Sequence, residues 1–190
     1  MERFFNYYIN IHPLIRGVIK KIYYDLFRQK IQLGIKARIK SSTDWLLFPG
    51  CTFSAGKNLI VGRNSFIKAS SGACIFFGDN VGIGDHCHIV SHKSISIDDE
   101  TILAPNVKIF DHNHAFSFDE GVKHREYQDG IVKIGKRCWI GANCIILMDV
   151  TIGNNCVIGA GSVVTKSIPD GSIAVGVPAR IIKKQIMNND

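Results

Sequence analysis

The chain has 190 residues, of which 46% are hydrophobic and 21% are charged, an ordinary balance for a soluble globular domain. No run of about 18 apolar residues predicts a transmembrane helix, and the N-terminus MERFFNYYIN lacks the basic start and long apolar core of a secretory signal. The net charge of +7 resides in residues 1–40, so the neutral remainder does not predict a nucleic-acid surface.

Residues 11–30 predict an amphipathic helix, because apolar side chains recur at helical spacing from Ile11 to Phe27 while basic residues fill most of the other positions. Two interpretations remain open. The helix packs on the domain or on a neighbouring subunit, or it rests on an anionic membrane surface. We therefore expect residues 1–45 to form a basic N-terminal segment. The protein is expected to be cytoplasmic, with peripheral contact at the inner face of the membrane in the second case.

A six-residue repeat runs through the C-terminal half of the chain. Its first position is aliphatic in Ile134, Ile140, Ile146, Ile152, Ile158 and Val164. Its second position is mostly glycine, and its fifth is small in Cys138, Cys144, Val150, Cys156 and Ser162. A looser set precedes it in Ile83, Ile89, Ile97, Leu103 and Ile109.

This period predicts short strands that stack on copies of themselves, since six is a multiple of the two-residue strand period. Positions one and five are expected to point inward, and the glycines to serve a tight turn or a positive φ. One such unit cannot bury its apolar face alone, so several must stack as a solenoid. The cysteines are then reduced core residues, and the absence of a CxxC pair argues against structural zinc.

The I-G-x-x-x-x repeats and the segment GAGSVVTKSIPDGSIAVGVPARIIKK resemble the hexapeptide-repeat acyltransferases. The galactoside and maltose O-acetyltransferases and the polysaccharide O-acetyltransferases are the most similar group. The resemblance implies an all-β fold, a left-handed parallel β-helix with three hexads per triangular coil, assembled as a homotrimer. We expect this domain over residues 46–184, preceded by the N-terminal α-helical segment and followed by a short tail, 185–190.

The largest interruption of the repeat, residues 110–131, predicts a loop that projects from the solenoid, and function concentrates on such loops. In the similar sugar O-acetyltransferases, a histidine lies nine residues after the proline of an A-P-N-V segment. The segment Ala104–Val107 puts His114 at that spacing, so the resemblance implies that His114 is the general base. His112 is its rival, since residues i and i+2 of an extended segment share a face. Asp111 is expected to orient an imidazole.

A second polar group, Asp85-His86-Cys87-His88, precedes that loop by about one coil, with His92 in a small insertion. The resemblance associates this region with the acceptor sugar. We therefore expect Asp85, His88 and His112 to contact the substrate.

The resemblance also implies a site for acetyl-CoA as co-substrate, with no metal. Trp139-Ile140-Gly141-Ala142 matches the family's W-I-G segment, and Ala142 offers only its backbone N–H to a thioester carbonyl. Lysine and arginine suit the phosphates of coenzyme A. The implied donor-site residues are Trp139, Ala142, Ala160, Thr165, Lys166, Arg180 and Lys183.

The implied function is direct acetyl transfer from acetyl-CoA to a hydroxyl of a carbohydrate acceptor. The basic N-terminus favours a cell-surface polysaccharide or its precursor. Three alternatives stay open: N-acetylation of an amino sugar or nucleotide sugar, a non-catalytic scaffold, and a zinc hydratase of the γ-carbonic anhydrase type. The hydratase would draw its ligands from His86, His88, His92, His112 and His114.

Overall fold

The computed structural model describes residues 18–19 and 30–184. The predicted N-terminal helix lies outside the described residues except for Val18, Ile19 and Lys30, and the predicted tail lies wholly outside them. In the described part of the chain, no helix is long and apolar enough to cross a membrane.

Three sheets of parallel strands form the faces of a triangular solenoid. The first face contains β1 (Lys30–Leu33), β4 (Thr52–Ala55), β7 (Cys74–Phe77), β10 (Ser94–Ile97), β15 (Ile131–Ile134) and β18 (Thr151–Ile152). The second contains β2 (Arg38–Ile39), β5 (Ile60–Val61), β8 (Gly82–Ile83), β11 (Ile102–Leu103), β16 (Trp139–Ile140), β19 (Val157–Ile158) and β21 (Ser172–Val175), with β22 (Arg180–Lys184) antiparallel to β21. The third contains β3 (Asp44–Leu47), β6 (Phe66–Ala69), β9 (His88–Ser91), β12 (Lys108–Phe110), β17 (Ile145–Ile146) and β20 (Val163–Val164).

The chain visits the three faces in turn, so each strand pairs with a strand one coil later. We call the corner after the first face the first edge, the corner after the second face the second edge, and the corner after the third face the third edge. This topology fits the left-handed β-helix that the resemblance implies. Between β12 and β15, at the third edge, the chain leaves the solenoid as an antiparallel hairpin, β13 (His112–Ser117) and β14 (Gly121–Asp129). The hairpin coincides with the predicted interruption at residues 110–131.

The inward positions of the repeat are occupied as the sequence predicts. The aliphatic residues at position one and the small residues at position five of the C-terminal hexads are all buried. Five of the six cysteines are buried and all six are free thiols. The repeat therefore forms one continuous apolar core that runs along the solenoid.

The positive-φ explanation for the position-two glycines is wrong. Positive φ occurs instead at position four, where Arg137, Asn143 and Asn155 have φ between 54° and 60°. A Cβ on Gly135 would lie 2.8 Å from the carbonyl carbon of Gly153, one coil away. Glycine is needed at position two because backbones of successive coils approach closely there.

The described part of the solenoid already includes β1 at Lys30–Leu33, before the predicted boundary at residue 46. The first coils are wider: stacked corner residues are 22 positions apart there and 18 apart in the C-terminal coils. Aromatic side chains fill the added space, with ring centroids 4.7 Å apart for Trp45 and Phe53 and 5.5 Å apart for Phe53 and Phe77. This stretch lacks the aliphatic–glycine signature, and therefore the hexad pattern did not reveal it.

Candidate active site

The buried carboxylate of Asp111 ties the start of the hairpin to the third edge of the preceding coil. Its Oδ2 accepts hydrogen bonds from Ser91 Oγ at 2.7 Å and from the N–H of Lys93 at 2.9 Å. Its Oδ1 accepts a bond from the N–H of His92 at 2.8 Å. Because an unpaired buried carboxylate would be costly, these bonds hold the corner and the hairpin base together.

Asp111 also contacts an imidazole, which is that of His112. The Nδ1 of His112 lies 3.1 Å from Asp111 Oδ1, and the His112 side chain is only 14% exposed. The orienting contact therefore belongs to the predicted rival base and not to His114.

His92 lies at the centre of this cluster, although its sequence position suggested only a zinc ligand. Its ring stacks on that of His112, with centroids 3.6 Å apart and planes 4° from parallel. Its Nδ1 lies 3.4 Å from Asp129 Oδ1 at the end of β14. Burial, and secondly the charge of His112, lower the pKa of His92, against a smaller opposing effect of Asp129. His92 is therefore neutral near pH 7.

His114 lies beside Tyr127, which is its cross-strand partner in the hairpin. Their ring centroids are 4.6 Å apart, and the imidazole is exposed. Tyr127 also presents an edge-on contact to His92 at 4.4 Å and to His112 at 5.6 Å. The structure thus brings three histidines and a tyrosine together at the third edge. The sequence did not reveal Tyr127, because hairpin register cannot be read from residue spacing alone.

The predicted acceptor residues are dispersed around the coil. Asp85 lies at the second edge, where its Oδ1 accepts the N–H of Arg63 at 2.7 Å. Its carboxylate caps the corner of the preceding coil, so within one chain Asp85 lies away from the histidine cluster. Its contact with the substrate stays a prediction. His88 projects from the third face, with its ring 5.9 Å from Phe66. His112 alone of the three lies in the histidine cluster.

Three implied donor residues lie along the second edge or beside it. Trp139 is exposed on the second face next to this edge. Ala142 and Ala160 stack at the edge itself, where the N–H of Gly161 donates to the carbonyl of Ala142 at 2.8 Å. Arg180 begins β22, opposite Val175, where the chain closes the last coil.

Within residues 30–184, the backbone N–H groups of Ala142 and Ala160 lack the side-chain acceptor that serves the equivalent N–H at several other corners. At the first edge, a side-chain oxygen of the next coil accepts the equivalent N–H: Lys136 N donates to Asn154 Oδ1 at 2.9 Å, and Asn154 N donates to Asp170 Oδ1 at 3.0 Å. Ala160 has no such oxygen. Within residues 30–184, neither alanine N–H has a hydrogen-bond acceptor.

The other implied donor residues are elsewhere. Thr165 and Lys166 follow β20 at the third edge, on the same side of the solenoid as the histidine cluster. Lys183 pairs with Ile173 on the second face. One side of a coil spans about six residues, or roughly 20 Å. A single chain therefore keeps Ala142 and the histidine cluster on separate edges.

Two of the five histidines named for a zinc site lie away from the histidine cluster. His86 lies at the second edge with φ of 60°, and His88 lies on the third face. In the part of the chain that the structure describes, no group of three or more metal-ligating side chains could hold a metal ion.

Comparison with known proteins identifies the family. A family model described as the hexapeptide repeat of succinyl-transferase matches residues 131–166. The Escherichia coli K12 protein WbbJ, whose name provisionally describes a lipopolysaccharide biosynthesis O-acetyl transferase, is 39% identical over 137 residues, which are 68% of this chain and 70% of WbbJ. The chain belongs to the hexapeptide-repeat acyltransferases.

Solved structures of such acyltransferases have the same architecture. A galactoside acetyltransferase in complex with coenzyme A is 29% identical, with a TM-score of 0.51, and the match covers 88% of this chain and 70% of that one. A point mutant of AntD, an N-acyltransferase from Bacillus cereus solved with dTDP and coenzyme A, matches with a TM-score of 0.68 over 87% of this chain and 89% of that one. AntD is 22% identical to this hexapeptide-repeat acyltransferase, so this likeness concerns the fold alone.

Proposed function

We propose that this hexapeptide-repeat acyltransferase transfers the acetyl group of acetyl-CoA to a sugar hydroxyl, with His114 as the general base. The observation that carries the proposal is the pair of N–H groups of Ala142 and Ala160, which have no acceptor among residues 30–184 and lie on an edge built from small residues. A galactoside acetyltransferase with the same fold was solved in complex with coenzyme A, which supports the choice of donor.

The residues of the second edge fit a thioester with an extended amide-bearing arm. Ala142 and Ala160 lie one coil apart, a spacing of about 4.8 Å. Their N–H groups can donate to carbonyl oxygens of a ligand that runs along the edge, and their methyl groups leave room for it. Arg180 and Lys183 follow at the C-terminal end of the solenoid, where their charges would meet phosphates.

The proposed chemistry is one direct transfer. Acetyl-CoA supplies an acetyl group activated as a thioester. His114 removes the proton from the acceptor hydroxyl as that oxygen forms its bond to the acetyl carbon. The Ala142 N–H stabilises the negative charge that develops on the carbonyl oxygen. His114 then returns its proton to the departing thiolate, so no cysteine nucleophile is required.

A homotrimer follows from the same proposal. The donor residues and His114 occupy different edges, about 20 Å apart in one chain. We therefore propose that the hairpin edge of one left-handed β-helix meets the second edge of a neighbouring copy. A closed ring of three such prisms would make three equivalent sites. Thr165 and Lys166, which share the hairpin edge, would reach the donor from the other side of the cleft.

We further propose that the acceptor is a unit of a cell-surface polysaccharide or its precursor. The name of WbbJ refers to lipopolysaccharide biosynthesis, which supports this acceptor class. The basic segment 1–45 would hold the enzyme at the inner, cytoplasmic face of the membrane, where anionic lipid attracts Lys and Arg. The catalytic domain would then comprise residues 46–184 together with the coils that begin at Lys30.

Calorimetric titration with acetyl-CoA, followed by acetyl-transfer assays on sugars and amino sugars, tests the proposal. We expect saturable binding at about one site per chain for the wild type and for His114→Ala. Sugar acetylation should be lost in His114→Ala. The matched control, His112→Ala, should retain more acetylation activity than His114→Ala. If both variants bind acetyl-CoA and lose sugar acetylation equally, the base role would belong to His112 and His114 together. Absence of donor binding at millimolar acetyl-CoA would refute the donor site.

A further inference from the structure

The hairpin is held at its base by contacts to one corner of the solenoid. The N–H of Gly130 donates to the carbonyl of Asp111 at 2.6 Å, which closes the base. His92 adds a contact to each strand, since its ring stacks on His112 of β13 and its Nδ1 approaches Asp129 of β14. One side chain from the solenoid therefore touches both strands.

Tyr127 connects this base to His114. Its ring contacts both His92 and His114, at centroid distances of 4.4 and 4.6 Å respectively. The backbone ladder shifts register directly after this pair: His114 pairs with Tyr127, whereas Ala115 pairs with Lys123. Regular pairing stops beside His114, so side-chain packing must contribute to holding its ring.

We propose that Tyr127, itself held by His92, is the positioning residue that orients the His114 imidazole for proton transfer. The catalytic consequence rests on the proposed function. An exposed histidine on a strand samples several rotamers, and a ring packed against the imidazole restricts them. Proton transfer requires a hydrogen-bond geometry, and misplacement by about 1 Å lowers a rate by roughly 100-fold.

The contacts of His92 explain how it supports Tyr127. A neutral imidazole can stack on His112 without bringing two cations together, and the same ring makes a T-shaped contact with Tyr127. Removal of the His92 ring leaves a gap beside Tyr127. Tyr127 is then free to move from His114, although neither of those residues has changed.

The structural half of the proposal can be tested without any assay of activity. The Tyr127 ring current should displace the imidazole proton resonances of His114, assigned by comparison with His114→Gln in histidine-labelled protein. We expect Tyr127→Phe to retain this displacement, Tyr127→Leu to abolish it and His92→Ala to reduce it. Unchanged His114 resonances in Tyr127→Leu would overturn the contact, and unchanged resonances in His92→Ala would overturn the role of His92.

The catalytic half is tested by steady-state kinetics with a sugar acceptor. Tyr127→Leu should lower kcat by about 10- to 100-fold while both KM values stay within about twofold, and Tyr127→Phe should restore most of the rate. A raised acceptor KM at unchanged kcat would overturn the proposal and make Tyr127 an acceptor-binding residue. Wild-type protein that acetylates no sugar would refute the proposed function, while the His114 resonances would still decide the contact.

Discussion

Replacement of Ala142 by proline isolates one hydrogen-bond donor in the proposed donor site. Proline removes the backbone N–H and adds little volume. The equivalent corner of the preceding coil already holds Pro105, because Leu103 pairs with Ile140 in the parallel ladder. The N–H of Ala142 has no acceptor within residues 30–184, so its loss breaks no described hydrogen bond. The fold should therefore tolerate Ala142→Pro.

The expected effect on catalysis is large. Loss of one donor to a developing oxyanion lowers kcat by about 100- to 1,000-fold, or about 2.7–4 kcal/mol of transition-state stabilisation. The assay measures thiol release from acetyl-CoA with a sugar acceptor, alongside thermal unfolding. Ala142→Ser is the matched control, because it changes the side chain and keeps the N–H. A folded Ala142→Pro variant with wild-type kcat would refute the assignment of this N–H to the thioester carbonyl.

Three further changes test other parts of the molecule. Asp111→Ala should lower the free energy of unfolding by about 3 kcal/mol in urea, because the Ser91 hydroxyl and the N–H groups of His92 and Lys93 lose their acceptor. An unchanged urea midpoint would contradict the anchoring role. Folding lowers the pKa of His92 from 6.5, so as the pH drops below about 6.5 the unfolded chain takes up this proton before the folded chain does, and the free energy of unfolding should fall. The variant His92→Phe should weaken this pH dependence. An equal slope of unfolding free energy against pH in both proteins would count against the assignment. Deletion of residues 1–29 should reduce sedimentation with anionic vesicles at low salt, and unchanged binding would dismiss the membrane contact.

The C-terminal coils could be read from the sequence because each inward position there has a strict requirement. Ile134 and Ile140 fill the same core volume in successive sides of the coil, and Cys138 and Cys144 occupy corners with room for only a small side chain. Such positions repeat every six residues without exception. In the wide early coils, Trp45 and Phe53 fill the core by packing on each other, and no fixed residue type recurs.

The candidate site was predictable only in part. Spacing and family resemblance led to His114, Asp111 and Ala142. They did not reveal that Asp111 pairs with His112, or that Asp85 caps a corner of the solenoid. The first contact joins chain neighbours whose side-chain directions are set by the tertiary structure, and the second joins residues of different coils. Such a contact depends on coil width and on hairpin register, which no local pattern records.

The sequence by itself determined the repeat, the buried positions and the segment that leaves the solenoid, because these depend on local periodicity and side-chain size. The tertiary structure decided which polar groups meet. It stacked His92 on His112 and set Tyr127 against His114. It also left the Ala142 N–H without an acceptor among the described residues, because Ala160 of the next coil lacks a side-chain oxygen. The physical reason is that coil stacking aligns residues 16 to 22 positions apart, so the partner of each group is set by geometry and not by its neighbours in the chain.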